Sequence, residues 1–348
     1  MHKAALFKKL KNGQVQCLAC NHYCRILTNR TGICGVRKNI KGDLSLLVYG
    51  RPVAVNIDPI EKKPLFHFLP GSQIFSFGTY GCNFRCSFCQ NWDISQLSKG
   101  YQNFEDLIKK TCEEWPPEKI VDWCRKNQIP AIAYTYNEPT IFVEYAYDTM
   151  KLAHQYGIKN VFVSNGYESK ETIDYIASYL DAINIDLKSF REEFYQKFCG
   201  AKLQPVLETI KIIQKKKIWQ ELTTLLIPEE NDSEKEIGEI ANFIASVDKN
   251  IPWHISRFYP AYQMTDKLPT AEKSLQMAYE IGKSMGLKYV YLGNVASRKH
   301  ESTYCPNCKE GLIQRSGYSI ELSNNFKNGR CLKCQIEIPG IWYQTFEK

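Results

Sequence analysis

Short apolar runs alternate with amphipathic stretches between about residue 51 and residue 298. The apolar runs have the length and composition of strands, which we predict at 74–77, 131–136, 161–163, 182–187, 218–227 and 253–258, with one more at 289–292. Apolar residues at helical spacing predict helices at 117–127, 140–156, 170–180, 191–198, 204–214, 233–246 and 270–285. Strands that alternate with helices of this length indicate parallel βαβ units.

The number of strands decides between the α/β architectures. Six main strands are too few for a closed TIM barrel of eight, so we predict a partial (β/α)6 TIM-like barrel over residues 51–298. The Pro- and Gly-rich stretch 49–71 is expected to form an irregular, ordered wrap before the first barrel strand. Two small modules flank the barrel, an N-terminal four-cysteine module at 1–50 and a C-terminal zinc-ribbon-like module at 299–348.

Hydropathy and cysteine content set the compartment that we expect. No apolar run reaches the roughly 18 residues of a membrane span, and the N-terminus lacks an apolar signal core. We therefore expect a cytoplasmic protein with no membrane segment. Fourteen cysteines are many for a reducing compartment, where disulfides are rare. Most of them cluster, which indicates metal ligands, whereas Cys112, Cys124 and Cys199 stand alone and are predicted to be core residues.

The formal net charge of +8 raises the question of nucleic-acid binding. Two four-thiolate zinc sites and one iron–sulfur cluster would lower this charge to about +3. So mild a charge gives little reason to expect nucleic acid as a partner. A nucleic-acid-binding metal protein without catalysis is kept as the weakest functional alternative, and salt-sensitive binding to RNA or DNA would favour it.

The run from Gly81 to Cys89 places Cys82, Cys86 and Cys89 in the pattern C-x3-C-x2-C, directly after the predicted strand 74–77. Three thiolates can hold three irons of a 4Fe-4S cube and leave the fourth iron open. The alternatives are half of a zinc site or part of a disulfide framework. Zinc sites usually pair two C-x2-C units, and in a barrel-like fold the C-terminal end of a strand is where chemistry takes place.

This run, with Phe88 just before the last cysteine, closely resembles the cluster motif of radical SAM enzymes. The resemblance implies a partial-barrel fold, a [4Fe-4S] cluster and S-adenosyl-L-methionine (SAM) as cofactors. It further implies an oxidoreductase that cleaves SAM reductively to a 5′-deoxyadenosyl radical, which abstracts hydrogen from a substrate.

Two neighbouring residues end the predicted strand 131–136. Asn137 and Glu138, followed by Pro139, resemble the Gly-Gly-Glu-Pro motif that recognises the SAM amino group in radical SAM enzymes, although both glycines are replaced here. A carboxylate suits a cationic ammonium group. The alternative is that Glu138 is only an acid at a helix N-terminus, stabilised by the helix dipole.

Two further motifs end the next two predicted strands. Ser164-Asn165-Gly166 and Asp186-Leu187-Lys188 resemble the Thr-Asn-Gly and Asp-x-Lys motifs of glycyl-radical-enzyme activases, which help to bind the SAM ribose and carboxylate with a cation nearby. Val163 replaces an acid of that family. The alternatives are a plain Asn-Gly turn and a charge pair at a strand end.

His254 lies in the predicted strand 253–258. By the same resemblance it approaches the SAM methionine. The alternative is a core histidine with a satisfied hydrogen bond. The candidate catalytic residues are thus Glu138, Lys188 and His254.

The remaining cysteines form two groups. Two C-x2-C units in the C-terminal module predict a four-cysteine zinc site, with a rubredoxin-type iron site as the minor alternative: Cys305, Cys308, Cys331 and Cys334. The N-terminal group is less regular and fits zinc or an auxiliary Fe-S cluster, with zinc slightly preferred because a ferredoxin-type run is absent: Cys17, Cys20, Cys24 and Cys34.

Over nearly its full length the chain resembles the radical SAM enzyme of the AmmeMemoRadiSam system, which is related to the pyruvate formate-lyase activating enzymes. This resemblance implies a substrate within that system, Memo-type and AmmeC-R-type partners, and a reductant protein such as a flavodoxin or ferredoxin. The first functional alternative is an activating enzyme that installs a glycyl radical on a partner protein.

Overall fold

The computed structural model describes residues 2–101 and 103–343. The N-terminal module folds into two small antiparallel sheets, ordered β1-β6-β5 and β2-β3-β4. Its strands are β1 His2–Lys3, β2 Phe7–Lys9, β3 Val15–Cys17, β4 Arg25–Ile26, β5 Arg37–Ile40 and β6 Asp43–Leu46. Strands this short bury little apolar surface, so the module depends on packing against the rest of the chain.

One eight-stranded sheet forms the centre of the protein, and its strands follow one another in chain order. They are β7 Ala54–Pro59, β8 Gln73–Gly78, β9 Ala131–Tyr134, β10 Lys159–Ser164, β11 Ala182–Asp186, β12 Trp219–Leu226, β13 Trp253–Arg257 and β14 Val290–Gly293. Strands β8 to β14 are parallel, and β7 is antiparallel to β8. Within the described residues β7 and β14 do not pair, which leaves the sheet open as in a partial barrel.

Helices occupy most of the crossovers between the parallel strands. They are α1 Trp92–Ser95, α2 Phe104–Thr111, α3 Pro117–Lys126, α4 Val143–His154, α5 Lys170–Ile176, α6 Glu192–Phe194, α7 Leu203–Lys215, α8 Glu234–Val247, α9 Glu272–Ser284 and α10 Arg298–Glu301. Sequence signals account for several starts: Pro117 is at the first position of α3, and the Ser233 hydroxyl accepts a hydrogen bond from Glu236 N at 3.3 Å. The predicted alternation of strands and helices is confirmed.

The two faces of the sheet are covered differently. One face, which includes Ile132 and Phe162, packs against the helices. The other face carries small side chains such as Ala131 and Ala133, and residues 60–71, which we call the plug segment, pack against it. Two plug amides, Phe66 N and His67 N, donate to the Glu221 carboxylate of β12 at 2.9 and 2.7 Å. Residues 54–59 form the regular strand β7, so the expectation of an irregular wrap over 49–71 is wrong for these residues.

The C-terminal module covers the plug segment from outside. Its strands are β15 Thr303–Tyr304, β16 Gly311–Ser316, β17 Ser319–Leu322, β18 Phe326–Lys327 and β19 Arg330–Cys331. Arg315 is fully buried and donates to the Phe66 carbonyl at 2.7 Å, and the His67 ring bonds the Pro339 carbonyl at 2.7 Å. The module is therefore part of the structure that closes this side of the sheet. Within the described residues, no helix is both long and apolar enough to span a membrane.

Candidate metal and cofactor site

The carboxyl ends of four neighbouring strands converge at one edge of the sheet. Residues 81–89, which we call the cluster loop, come shortly after β8, and the polar residues predicted from the sequence follow β9, β10 and β11. In parallel α/β sheets this edge is where ligands bind.

The cluster loop carries three of the predicted metal ligands. Cys86 is buried, whereas Cys82 and Cys89 are partly exposed. The backbone of the loop is fixed by its neighbours: Arg85 N donates to the Cys199 carbonyl at 2.9 Å, and Ser87 N donates to the Phe198 carbonyl at 3.0 Å. The Cys199 thiol and burial together raise the pKa of Cys86 well above its usual value. Burial also raises the pKa of the Cys82 and Cys89 thiols.

Asn137 fastens the start of the cluster loop to the end of β9. Its side-chain amide donates to the Gly81 carbonyl at 2.8 Å and to the Thr79 hydroxyl at 3.2 Å, and its carbonyl oxygen accepts from Thr79 N at 3.2 Å. All three hydrogen bonds of the Asn137 side chain join it to residues 79–81, so Asn137 positions the start of the loop.

Asn83, inside the cluster loop, connects it to two other parts of the chain. The Asn165 side-chain amide donates to Asn83 Oδ1 at 2.8 Å, and the His22 ring bonds the Asn83 carbonyl at 2.9 Å. Asn83 is buried, as is the next residue, Phe84, whereas the preceding Cys82 is partly exposed. The end of β10 and the N-terminal module therefore both hold the loop in place.

The Glu138 carboxylate is buried where β9 and β10 end. Its Oε1 accepts from Thr140 N at 3.1 Å, from the Thr140 hydroxyl at 2.6 Å and from the Ser164 hydroxyl at 2.9 Å. Its Oε2 accepts one hydrogen bond, from Asn165 N at 2.8 Å, and so keeps a free acceptor position. Burial raises the pKa of Glu138, and these hydrogen bonds oppose that shift.

A second buried acid, Glu168, lies near Glu138. No donor among the described residues makes a well-formed hydrogen bond to either oxygen of Glu168, although the Ser164 and Thr140 hydroxyls lie near enough to oppose the rise of its pKa. Burial, followed by the Glu138 charge, raises the pKa of Glu168 to about 8. In the described part of the chain, no cation forms an ion pair with either carboxylate, so a positively charged group placed here would be electrostatically favoured.

Asp186 and Lys188 form an ion pair of 2.7 Å after β11. The Lys188 ammonium lies 5.8 Å from the centre of the Phe88 ring in the cluster loop. Burial lowers the pKa of Lys188, but Asp186 and the thiols of Cys86 and Cys199 outweigh burial and raise it well above its usual value. The charged Lys188 ammonium, paired with Asp186, therefore lies close to the cluster loop.

His254 lies deeper in the fold. Its ring bonds Glu221 at 2.6 Å, packs edge-on against Phe66 and stacks on Tyr291. These are the surroundings of a core histidine with a satisfied hydrogen bond. In the register of the sheet, His254 pairs with Thr223 of β12, and Thr223 pairs with Asp186 of β11. One row of paired residues therefore runs from His254 to the residues at the edge of the sheet that carries the site.

Comparison with known proteins identifies this arrangement. The model of the Radical SAM superfamily matches residues 77–244, which include the cluster loop and the ends of β9, β10 and β11. The chain belongs to the radical SAM superfamily. An uncharacterized protein of Methanocaldococcus jannaschii is 41% identical over 340 residues, covering 97% of this chain and 99% of that protein.

Two relatives of the chain carry names that refer to activating enzymes. A putative glycyl-radical enzyme activating enzyme of M. jannaschii is 29% identical over 224 residues, covering 63% of this chain and 78% of that protein. A pyruvate formate-lyase-activating enzyme of Clostridium pasteurianum is 24% identical over 170 residues, covering 48% of this chain and 67% of that protein. Among solved structures, a domain of the pyruvate-formate lyase-activating enzyme from Bacteroides vulgatus is 25% identical, covers 47% of this chain and 98% of that domain, and has a TM-score of 0.41.

The donor sets fit the cofactors of a radical SAM protein. Three thiols on one loop match the three protein ligands of a cluster with one open iron. Two further cysteine groups are brought together by the fold. The four C-terminal sulfurs all lie within 4.8 Å of one another, and the four N-terminal cysteines line one cavity.

Several residues of the site were not predicted from the sequence. Asn83, His22 and Glu168 have no motif of their own and act through partners that are distant in sequence. Cys199 was predicted to be a core residue and is buried, but its thiol also lies beside Cys86. The five residues 195–199 form a π-helical turn, a feature that is frequent at functional sites.

Proposed function

We propose that this chain is a radical SAM enzyme, similar to the glycyl-radical-enzyme activases, that acts on a substrate within the AmmeMemoRadiSam system. The observation that carries the proposal is the placement of three thiols on the cluster loop, next to polar residues at the carboxyl ends of β9, β10 and β11. The family match and the activating-enzyme relatives support it.

The chain's contribution is to hold and shield the cofactors. Cys82, Cys86 and Cys89 would bind the [4Fe-4S] cluster. Bound there together with SAM, the cluster would supply the electron for reductive cleavage of SAM and, through it, abstraction of hydrogen from an unreactive carbon. Asn137 and the loop contacts of residues 198–199 keep the three thiols in place.

The polar strand ends would bind SAM. The free acceptor position on Glu138 Oε2 and the uncompensated charge of the buried acid pair suit the SAM ammonium group. Ser164, Asn165 and Asp186 would contact the ribose and carboxylate. Lys188, with Phe88 beneath it, would place a positive charge near the SAM carboxylate. We assign His254 the role of supporting the methionine end through the row that leads to Asp186.

We further propose a zinc ion at the four C-terminal cysteines. Their sulfurs approach each other to 3.4 Å for Cys305 and Cys334 and to 3.7 Å for Cys308 and Cys331, as a tetrahedral thiolate site requires. The protein would work in the cytoplasm, with a flavodoxin or ferredoxin as its reductant and Memo-type and AmmeC-R-type proteins as partners.

SAM cleavage tests the proposal. Anaerobically reconstituted protein with a strong reductant should release 5′-deoxyadenosine, and Cys86→Ala should abolish the release because one iron loses its ligand. Cys124→Ala is the matched control, since Cys124 is an isolated buried thiol in α3. Undiminished cleavage by Cys86→Ala would refute the assignment.

The similarity to activating enzymes favours one second function, the installation of a glycyl radical on a partner protein. Incubating the reduced enzyme and SAM with a candidate glycyl-radical protein should then give a stable protein radical in the electron paramagnetic resonance (EPR) spectrum. If the 5′-deoxyadenosine is formed while candidate partners remain free of radical, the first proposal is favoured over this one.

A further inference from the structure

The three cysteine groups differ in how closely their sulfurs approach each other. Four thiolates around one zinc ion at about 2.3 Å lie about 3.8 Å apart. Within the described residues, only the C-terminal four cysteines form a group of three or more potential ligands whose atoms all lie within 4.8 Å. Neither the N-terminal cysteines nor those of the cluster loop are that close together. In the spacing of their sulfurs, the N-terminal cysteines therefore resemble the cysteines of the cluster loop, which are expected to hold a cluster of several irons.

The N-terminal cysteines surround a cavity. Cys17, Cys20, Cys24 and Cys34 all line one small cavity, and most of the other lining residues are apolar, among them Ile26, Ile33 and Ile141. Three of the four cysteines are buried, and Cys24 is partly exposed. Four thiols that line one space, no three of which lie within 4.8 Å of one another, suit an iron–sulfur cluster, whose protein ligands stand farther apart than those of a single zinc ion.

A buried cation completes these surroundings. Arg37 also lines the cavity, and its guanidinium lies 3.9 Å from Cys17 Sγ. The same guanidinium bonds the Glu144 carboxylate of α4 and donates to the Ile141 carbonyl at 2.9 Å, so the N-terminal module is anchored to the barrel at this point. A cation beside a thiolate-bound cluster offsets part of the cluster's negative charge and its cost of burial.

We propose that Cys17, Cys20, Cys24 and Cys34 bind a second [4Fe-4S] cluster, in which every iron has a protein ligand, and that this cluster is the electron entry to the cluster loop. The assignment of the electron's destination rests on the proposed radical SAM function. Binding of the second cluster does not, because it follows from the geometry of the N-terminal cysteines alone.

The two cysteine groups meet at Cys34 and Gly81. A methyl group on Gly81 would lie 2.7 Å from the Cys34 carbonyl oxygen and 3.1 Å from Ile141, a residue that also lines the N-terminal cavity. Gly81 has a φ of +97°, so both its backbone angle and the close approach require glycine. Cys82 is the next residue. The Cys34 backbone therefore lies beside the residue that precedes the first ligand of the cluster loop.

The electron balance of the relay is simple. A low-potential one-electron donor protein of the ferredoxin or flavodoxin class reduces the second cluster from the 2+ to the 1+ state. The second cluster returns to the 2+ state when it passes that electron to the cluster held by Cys82, Cys86 and Cys89. No proton or other group moves in this transfer.

Metal analysis of full-length variants, reconstituted anaerobically with iron and sulfide, tests the site. The triple variant C82A/C86A/C89A should retain about four irons and four sulfides per chain, and the dithionite-reduced EPR signal should not respond to SAM. The wild type should hold about eight irons. The isolated-thiol variant Cys112→Ala is the control and should also hold about eight.

Variants of the N-terminal cysteines keep the test decisive if the triple variant of the cluster loop does not fold. Both C17A/C20A and the milder Cys24→Ser should keep a SAM-responsive signal at about four irons, with circular dichroism reporting the fold. A triple variant without iron, or with one zinc more than the four C-terminal cysteines explain, would overturn the proposal. If that variant keeps its iron while the wild type does not cleave SAM, the second cluster stands and the radical SAM function fails.

Discussion

The Asn165 side-chain amide donates a 2.8 Å hydrogen bond to Asn83 Oδ1, and this bond joins the end of β10 to the middle of the cluster loop. Both residues are buried, and Asn165 Oδ1 also accepts from Tyr167 N at 3.1 Å. Because the loop carries the three thiols and β10 carries candidate SAM contacts, one bond couples the geometry of the metal ligands to that of the proposed SAM site.

The first prediction concerns this bond. Asn165→Ala removes the amide that donates to the Asn83 side-chain oxygen, and leaving a buried acceptor unsatisfied costs about 1–3 kcal/mol. We expect SAM affinity, titrated through the EPR signal of the reduced cluster, to fall by about tenfold or more. The control is Asn160→Ala in the same strand, whose side chain bonds Tyr134 and the Met150 carbonyl. This control should lower the melting temperature without changing SAM affinity. Equal affinities of Asn165→Ala and the wild type would contradict the coupling.

The second prediction concerns Glu138. Glu138→Gln removes the charge proposed to bind the SAM ammonium group, and a charge-assisted hydrogen bond contributes about 1.5–3 kcal/mol. SAM should therefore bind about ten- to a hundredfold more weakly, while iron content stays the same because Glu138 is not a ligand. Glu61→Gln, which alters a buried carboxylate in the plug segment, is the control. Unchanged SAM affinity in Glu138→Gln would mean that Glu138 acts only through its hydrogen bonds with Thr140, Ser164 and Asn165.

The third prediction is a pH dependence that comes from Glu168. Its pKa is raised from 4.5 to about 8, so the folded protein holds a proton that the unfolded chain releases between these values. Folding stability should therefore decrease as pH rises from about 5 to 8. Glu168→Gln removes this contribution to folding stability. The melting temperature of Glu168→Gln relative to that of the wild type should therefore increase as pH rises over the same range. The exposed residue Glu171 supplies the control Glu171→Gln. A constant difference between Glu168→Gln and the wild type would be inconsistent with a buried acid.

Local patterns account for the parts of the fold that were predicted correctly. Most residues of the strands β8 to β13 are buried, and the apolar residues among them mark the strands in the sequence. Strand β7 escaped prediction because its burial is mixed and its pairing with β8 is a long-range event. Asp58 within it is held by Lys62, Lys63 and Tyr136 rather than by an apolar pattern.

The candidate site likewise has residues that the local sequence predicts and residues that depend on distant parts of the chain. Its cysteines were predicted because metal ligands need a fixed spacing along the chain, whereas hydrogen bonds to Asn83 come from His22 and Asn165, which are distant in sequence. Strand alternation placed the His254 side chain, but its partner Glu221 lies 33 residues earlier and no motif connects the two. The burial of the plug segment depends on small side chains in β9 and could not be derived from the segment itself.

The last prediction concerns the C-terminal cysteines. Removing residues 299–348 would be a poor test of zinc, because Arg315 and Pro339 bond the plug segment and their loss would expose the sheet. The point variant Cys308→Ser is sharper, since Cys308 is the partly exposed member of a close sulfur pair. It should lower zinc by about one ion per chain, leave iron unchanged and reduce the melting temperature, because a structural zinc site stabilises the module that holds it. Metal analysis beside the control Cys112→Ser measures this effect. Equal zinc in Cys308→Ser and the wild type would show that the four sulfurs, although they lie within 4.8 Å of one another, do not hold the ion.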